Sequence, residues 1–319
     1  MAEVCCRRVA PQLRCRLGEG PWWSARHQAL FFLDCIAGHI HRVDTDVDGE
    51  SEELTTWTTG RFLGSLVLWD GGEGGGGDVV RALVASDRGL EIAELERGRS
   101  DARMLPLPGA EGNPLPAGQR MNDGICDRLG QFVVGSMIAR REDRAAADAS
   151  LYRLGRSGRL ETLLEGGIAV SNGPCFSPDG KVFYFTDGRG PRLWAWDYDP
   201  RAGLTNKRLF FDFTGSDVEG GSDGCTVCAS GHVWCVPGRQ LAEISAEGEL
   251  LRLVPLPQIE WGSSLTFGGK DLDRVFVTSS SDTGNRQTTH ERAGWLWEVT
   301  GLCARGLAEP TFAGLGAAL

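Results

Sequence analysis

The sequence predicts an all-β chain folded as a six-bladed β-propeller, on three observations. Short runs with period-two alternation recur along the chain, while helical periodicity is almost absent. Polar and glycine-rich turns bound these runs, and alternation bounded by turn residues is the strand signature. The runs group into six copies of one unit, which begin near Leu17, Leu63, Met121, Ser171, Ser222 and Ser263, spaced by 46, 58, 50, 51 and 41 residues. A period of about 40–50 residues with several strands per unit marks a propeller blade.

Each unit opens with a leader, continues with an apolar run and turns into an alternating run. The apolar runs are 30–34, 80–85, 131–135, 182–186, 232–236 and 274–278. The alternating runs are 39–43, 89–93, 150–154, 192–196, 240–244 and 294–298. Residues 1–16 read as an N-terminal extension with an outer strand, 17–300 as the propeller, and 301–319 as a small-residue-rich tail with the composition of a disordered segment. The long third unit contains 139–149, charged and alanine-rich, which reads as a surface excursion. The glycine-rich 71–77 run reads as an outer loop, because a phosphate cradle would need a strand-loop-helix context.

Composition narrows the function. At 319 residues and 41% hydrophobic, the chain can bury a large core. A net charge of -10 argues against nucleic acid or an anionic membrane as partner. No apolar stretch reaches the roughly 20 residues that span a bilayer. Residues 1–16 lack the apolar region of a secretory signal, so the expected location is cytoplasmic. The ten cysteines then read as free thiols. The lone Cys225-x-x-Cys228 has no second pair at zinc spacing, and in a strand the two would face opposite ways. Five histidines form no HExxH, and His39 and His41 read as one outer face of a strand. Nothing calls for more than a monomer or weak dimer.

Four unit starts carry an oxygen ligand beside a glycine. They are Glu19-Gly20, Asn122-Asp123-Gly124, Asn172-Gly173 and Asp223-Gly224. The innermost strand of each blade lines the central channel, so these residues should meet at one mouth. The second and sixth units offer only Gly64-Ser65 and Gly262-Ser263-Ser264 there. Carboxylates held close repel unless a cation compensates or a pKa rises. An oxygen-only set suits Ca²⁺, Mg²⁺ or Mn²⁺, with Zn²⁺ or Fe²⁺ where geometry allows. Each dipeptide alone is an ordinary turn signal; four in register on a repeat point to a site.

Together the motifs resemble the senescence marker protein/regucalcin/gluconolactonase-like family. They are Leu17-Gly-Glu19-Gly-Pro-Trp22, Arg120-Met-Asn122-Asp-Gly124, Val170-Ser-Asn172-Gly-Pro-Cys175, Trp194-Ala-Trp-Asp197 and Ser222-Asp223-Gly224, with support at 264–269 and 276–279. The resemblance covers roughly 17–299. It implies one divalent metal at the channel mouth, held by Glu19, Asn172 and Asp223. It implies hydrolysis of a small-molecule sugar lactone to the aldonic acid, with Arg120 and Asn122 binding substrate. The Asn-Gly-Pro-Cys run is most similar to pentono- and hexonolactonases. One departure bears on the sugar: where vertebrate members carry an acid after the Gly-Thr-Met motif, this chain has Arg140, and Gly135-Ser136-Met137 lacks the threonine. The sugar choice is therefore expected at Arg140.

On this reading Asp223 is the catalytic base, and Asp123 anchors Arg120 rather than binding metal. Two other classes compete. Calcium-dependent aryl esterase and phosphotriesterase propellers often place a His near the metal, and none adjoins these motifs. A non-catalytic calcium-binding propeller would not need an Arg-x-Asn beside the ligands.

Overall fold

The computed structural model describes residues 3–45, 52–69, 79–108, 115–156, 158–188, 190–216, 221–283 and 287–315. The predicted glycine-rich loop at 71–77 lies outside them. The described residues form six four-stranded antiparallel sheets. Blade 1 runs Gly18–Ser24, Ala29–Asp34, His39–Thr45 and Glu52–Thr58. The innermost strands of blades 2 to 6 are Leu63–Leu68, Gln119–Cys126, Ser171–Phe176, Cys225–Val227 and Gly262–Gly268. Their starts fall within three residues of the predicted leaders. Each inner strand packs against its neighbours around a closed ring.

Closure comes from the N-terminus. Cys5–Val9 pairs antiparallel with Leu296–Thr300 and becomes the outer strand of blade 6. The first and last segments of the chain therefore share one sheet, which locks the ring and leaves no open inner edge. The second strand of a blade, flanked by strands on both sides, is almost wholly buried, as Ala29–Asp34 and Phe132–Ile138 show. A central strand covered on both faces reads as an apolar run, whereas outer strands such as Gly203–Asp212 are largely open to solvent.

Two expectations change. Residues 302–315 pack against the ring instead of leaving it. Leu302 and Phe312 are buried, and Phe312 stacks edge-on against Trp69 at 5.3 Å. The backbone of Ala229 donates to Arg305, Gly306 to Leu272, Phe312 to Leu68 and Ala313 to Gly130. Those partners lie at the turns after the inner strands of blades 5, 6, 2 and 3, so the segment crosses the channel end opposite the mouth. Small residues are what this passage needs, because a Cβ on Gly306 would stand 2.1 Å from that of Phe267. His41 is buried, not on an outer face; burial lowers its pKa to about 3, and Nδ1 meets Thr56 Oγ1 at 2.9 Å. The 139–149 excursion contains a 3-10 helix, Arg141–Ala146. The ten cysteines are free thiols, and Cys225 and Cys228 pack into different core clusters. Among the described residues no helix is long and apolar enough to cross a membrane.

Candidate active site at the channel mouth

In three blades a repeated carboxylate fixes where the inner strand begins. Asp34 ends the second strand of blade 1 and accepts from the N–H groups of Arg16, Leu17 and Ala37 at 2.8–3.2 Å. Asp87 accepts from Phe62 N at 3.2 Å, and Asp187 from Ala169 and Val170 N at 3.2 and 3.1 Å. These residues follow the apolar runs in sequence, and that recurrence was the signal that could have found them.

Bulges then aim the site residues. The ladder slips between Glu19 and Trp22, between Met121 and Gly124, and between Asn172 and Cys175. A bulge turns a strand locally and re-aims its side chains. In blades 1 and 4 the slip falls on one motif, Glu19-Gly20-Pro21 and Asn172-Gly173-Pro174. Gly20 and Gly173 hold φ of +53° and +56°, where a Cβ is strained. The proline that follows lacks an N–H, which costs nothing where pairing has lapsed. In a ring of six, blades 1 and 4 face each other, so Glu19 and Asn172 approach from opposite walls, with Asp223 one blade on from Asn172.

Hydrogen bonds between blades hold this rim. Asn122 Nδ2 donates to Ser171 O at 2.7 Å and Asn172 Oδ1 at 2.9 Å. Gly173 N donates to Asp123 Oδ2 at 2.8 Å, and Gly224 N to Ser263 O at 2.8 Å. The uncharged blades contribute hydroxyls: Ser65 Oγ donates to Asn122 O at 2.8 Å, and Ser263 Oγ donates to Gly18 O.

The polarity of the amides follows from Arg120. Its Nη1 donates to Asn122 Oδ1 and Met121 O, each at 2.8 Å, and its guanidinium lies 4.3 Å from the Phe62 ring centre. With Asn122 Oδ1 taken, its Nδ2 must face Asn172. Asp123 does not anchor Arg120. Its two oxygens accept from the backbone N–H of Gly124 and Gly173, so it stitches blade 3 to blade 4. Arg140 is also displaced from its expected role: its side chain is 71% exposed and paired with Glu142 at 2.6 Å.

The carboxylates repel. Burial, then Asp223 and Asp123, push the Glu19 pKa well up. Burial and Asp123 raise Asp223 to about 7. Asp123 rises to about 6 through burial, opposed by its two backbone donors. Burial lowers Arg120 to about 10. Cys35, buried just after Asp34, is pushed up by burial and by Glu19. Nothing in its sequence setting marked it as a neighbour of the site. Among the described residues no three His, Cys, Asp or Glu side chains form a metal-holding group; the candidate set instead joins two carboxylates, Glu19 and Asp223, to the Asn172 amide.

A cavity of about 510 Å³ opens against Asn172 and Asp223, with Pro191, Phe213 and Ser222 in its walls. That is within the range of small-ligand pockets, about 300–1,000 Å³. A second cavity of about 310 Å³, between blades 2 and 3, is lined by aliphatic groups and the paired Arg61 and Glu91.

Gly173→Ala tests the bulge. Its Cβ would lie 2.6 Å from the Asp223 carbonyl oxygen, whereas one at Gly60, with φ of +65°, would meet nothing within 4 Å. Both substitutions carry backbone strain of about 1–3 kcal/mol. Gly173→Ala is expected to lower the denaturation midpoint further than Gly60→Ala; equal losses would show that the close approach to blade 5 is unimportant.

The architecture defines the chain as a six-bladed β-propeller with a polar channel mouth. The family model described as SMP-30/Gluconolactonase/LRE-like region matches residues 17–281. The chain belongs to that family. It is 29% identical over 295 residues to the protein named Pentonolactonase XacC of Haloferax volcanii, covering 89% of this chain and 91% of the relative. It is 30% identical over 305 residues to the 6-deoxy-6-sulfogluconolactonase of Pseudomonas putida, covering 93% and 95%. The solved structure of a luciferin-regenerating enzyme superposes with a TM-score of 0.84 at 25% identity, covering 98% of this chain and 100% of that one.

Proposed function

We propose that the chain is a metal-dependent lactonase that opens a pentono- or hexonolactone to the aldonic acid. The observation that supports the reading is that Glu19, Asn172 and Asp223 stand at the starts of the inner strands of blades 1, 4 and 5, with a cavity against the last two and the Arg120–Asn122 hydrogen bond on blade 3. The names of the two lactonase relatives support the substrate class.

The donor set fits a hard divalent cation. It is oxygen-only, and its carboxylates repel one another in a way that a positive charge would relieve. Glu19, Asn172 and Asp223 would hold the ion; Ca²⁺, Mg²⁺, Mn²⁺, Zn²⁺ and Fe²⁺ all accept such donors. When bound, the ion supplies a positive centre that polarises the lactone carbonyl and offsets charge growing on its oxygen.

Asp223 takes a proton as water adds to the carbonyl carbon. It returns that proton to the ring oxygen when the ring C–O bond breaks. Arg120 and Asn122 hold the sugar hydroxyls, and their mutual bond keeps both in place before substrate arrives.

A pH-drop assay over a lactone panel tests the function, run with EDTA and then with each divalent metal. Hydrolysis of pentono- or hexonolactones, restored by metal, is expected. Turnover of paraoxon or phenyl acetate in their place would move the chain to the esterase class, and metal binding without any hydrolysis would make it a calcium-type binder. Arg120→Ala is expected to raise KM by roughly ten- to a hundred-fold, the loss of a charged hydrogen bond, with little change in melting. Unfolding of that variant would make Arg120 structural.

A further inference from the structure

Blade 5 holds two cysteines face to face. Its inner strand, Cys225–Val227, starts directly after Asp223-Gly224, and Cys225 is the ladder partner of Cys235 on the next strand, Val233–Cys235. The hydrogen bond from Cys228 N to His232 O at 3.0 Å sets the phase of that ladder. Bonded and non-bonded pairs alternate, so 226–234 is bonded and 225–235 is not. Residues of a non-bonded pair stand about 4.5 Å apart at Cα, inside the roughly 4.4–6.8 Å that a disulfide spans. Both side chains enter one core cluster, and the two thiols interact directly. Cys175 of blade 4 shares that cluster, but among the described residues no ladder holds it opposite Cys225. Cys228 packs elsewhere, with its sulfur 3.0 Å from Ser230 Oγ.

The Cys225 sulfur also touches the site. It lies 3.2 Å from Ser222 Oγ and 4.0 Å from the Asp223 carbonyl oxygen. Across the blade boundary it lies against Gly173, where a Cβ would stand 2.8 Å from it. Ser222 lines the cavity of about 510 Å³ together with Asn172 and Asp223. Both thiols are buried, so reaction is slow and favours a small oxidant entering through that cavity. Cys235 is held between two strands, whereas the three-residue strand of Cys225 pairs on one side only. When the sulfurs join, Cys225 therefore gives way, and Asp223 and the Gly173 bulge shift with it.

We propose that Cys225 and Cys235 are an oxidation site that closes into a disulfide with a peroxide as oxidant, and that closure weakens the hold of Asp223 and Asn172 on a divalent cation. The second half rests on the metal-dependent reading of the site. One thiol attacks a peroxide oxygen, giving a sulfenic acid and water. The other sulfur displaces the hydroxyl as a second water. The thiols lose two electrons and two protons, and the peroxide takes up both.

The test treats the metal-free protein with hydrogen peroxide, removes the peroxide, then unfolds and alkylates it. Mass spectrometry of the tryptic peptide 209–239 should find the alkyl group on Cys228 alone, and on all three cysteines after reduction. Calorimetry with Mn²⁺ should show affinity reduced at least about ten-fold, the lower end for disturbing groups that orient metal ligands, and restored by dithiothreitol. Cys235→Val should lose the peroxide response, and Cys228→Ala should keep it, which separates the pair from oxidation elsewhere. Alkylation of both Cys225 and Cys235, or a bond from Cys225 to Cys175, overturns the site. A 225–235 bond with unchanged Mn²⁺ affinity overturns the coupling. A bond that weakens Mn²⁺, in a protein whose reduced form opens no lactone, keeps this proposal and overturns the lactonase.

Discussion

Asp223→Asn is expected to lower kcat/KM on the responsive lactone by about 10²–10⁴-fold, the range for loss of a general base. Loss of a donor to the cation adds to that. The fold should survive, because among the described residues the Asp223 side chain makes no hydrogen bond that holds blade 5; the backbone of Gly224 does that through Ser263. A stability readout separates this from damage. Burial and Asp123 raise the Asp223 carboxyl to about 7, so its charged form disfavours the cation-free fold. In EDTA at pH 8 the variant should therefore melt above the parent. The difference should shrink as pH falls toward the ordinary carboxylate range, where the parent side chain is also neutral. Wild-type turnover in Asp223→Asn would remove Asp223 from the mechanism.

Chelation is the second large effect. It should abolish lactone hydrolysis and leave a protein whose melting temperature depends on pH. The sign follows from the raised carboxyls. Between about pH 4 and 7 the folded, cation-free chain binds more protons than the unfolded chain, through Asp223 near 7 and Asp123 near 6. Its stability therefore falls as pH rises through that window, and the raised Glu19 carboxyl acts in the same direction. A divalent cation at a hundred times its Kd adds about 2.7 kcal/mol by mass action, and should flatten the pH dependence because it compensates the same charges. Differential scanning calorimetry at pH 5 and pH 8, with EDTA and with added metal, measures both terms. A chelated protein with unchanged activity and no pH-dependent melting would sink the metal site.

Much of the fold was legible because a propeller repeats. Strand alternation, recurring six times at a near-constant period, located the inner strands to within three residues of their starts. The outer-strand role of 1–16 also matches the pairing of Cys5–Val9 with Leu296–Thr300. Register on the glycine was informative for a physical reason: Gly20 and Gly173 occupy left-handed backbone that only a glycine adopts freely, and each sits in the bulge beside its site residue.

What failed in the sequence reading depended on contacts between blades. Asp123 resembled its neighbours in the repeat, yet its partners are backbone groups of blade 4 and its own strand. The small-residue tail looked unable to form a core of its own; its burial comes from surface that the ring supplies. Cys35, which follows the second strand of blade 1, acts on Arg120 of blade 3 only once the blades are closed.

By itself, then, the sequence determined the all-β class, the six-fold repeat and the residues presented at its starts, because each of these is written in local periodicity and backbone chemistry. The tertiary structure decided which of those residues stitch blades and which remain open to a ligand. Partner choice depends on distances between segments about 50 residues apart, and local pattern carries no record of them.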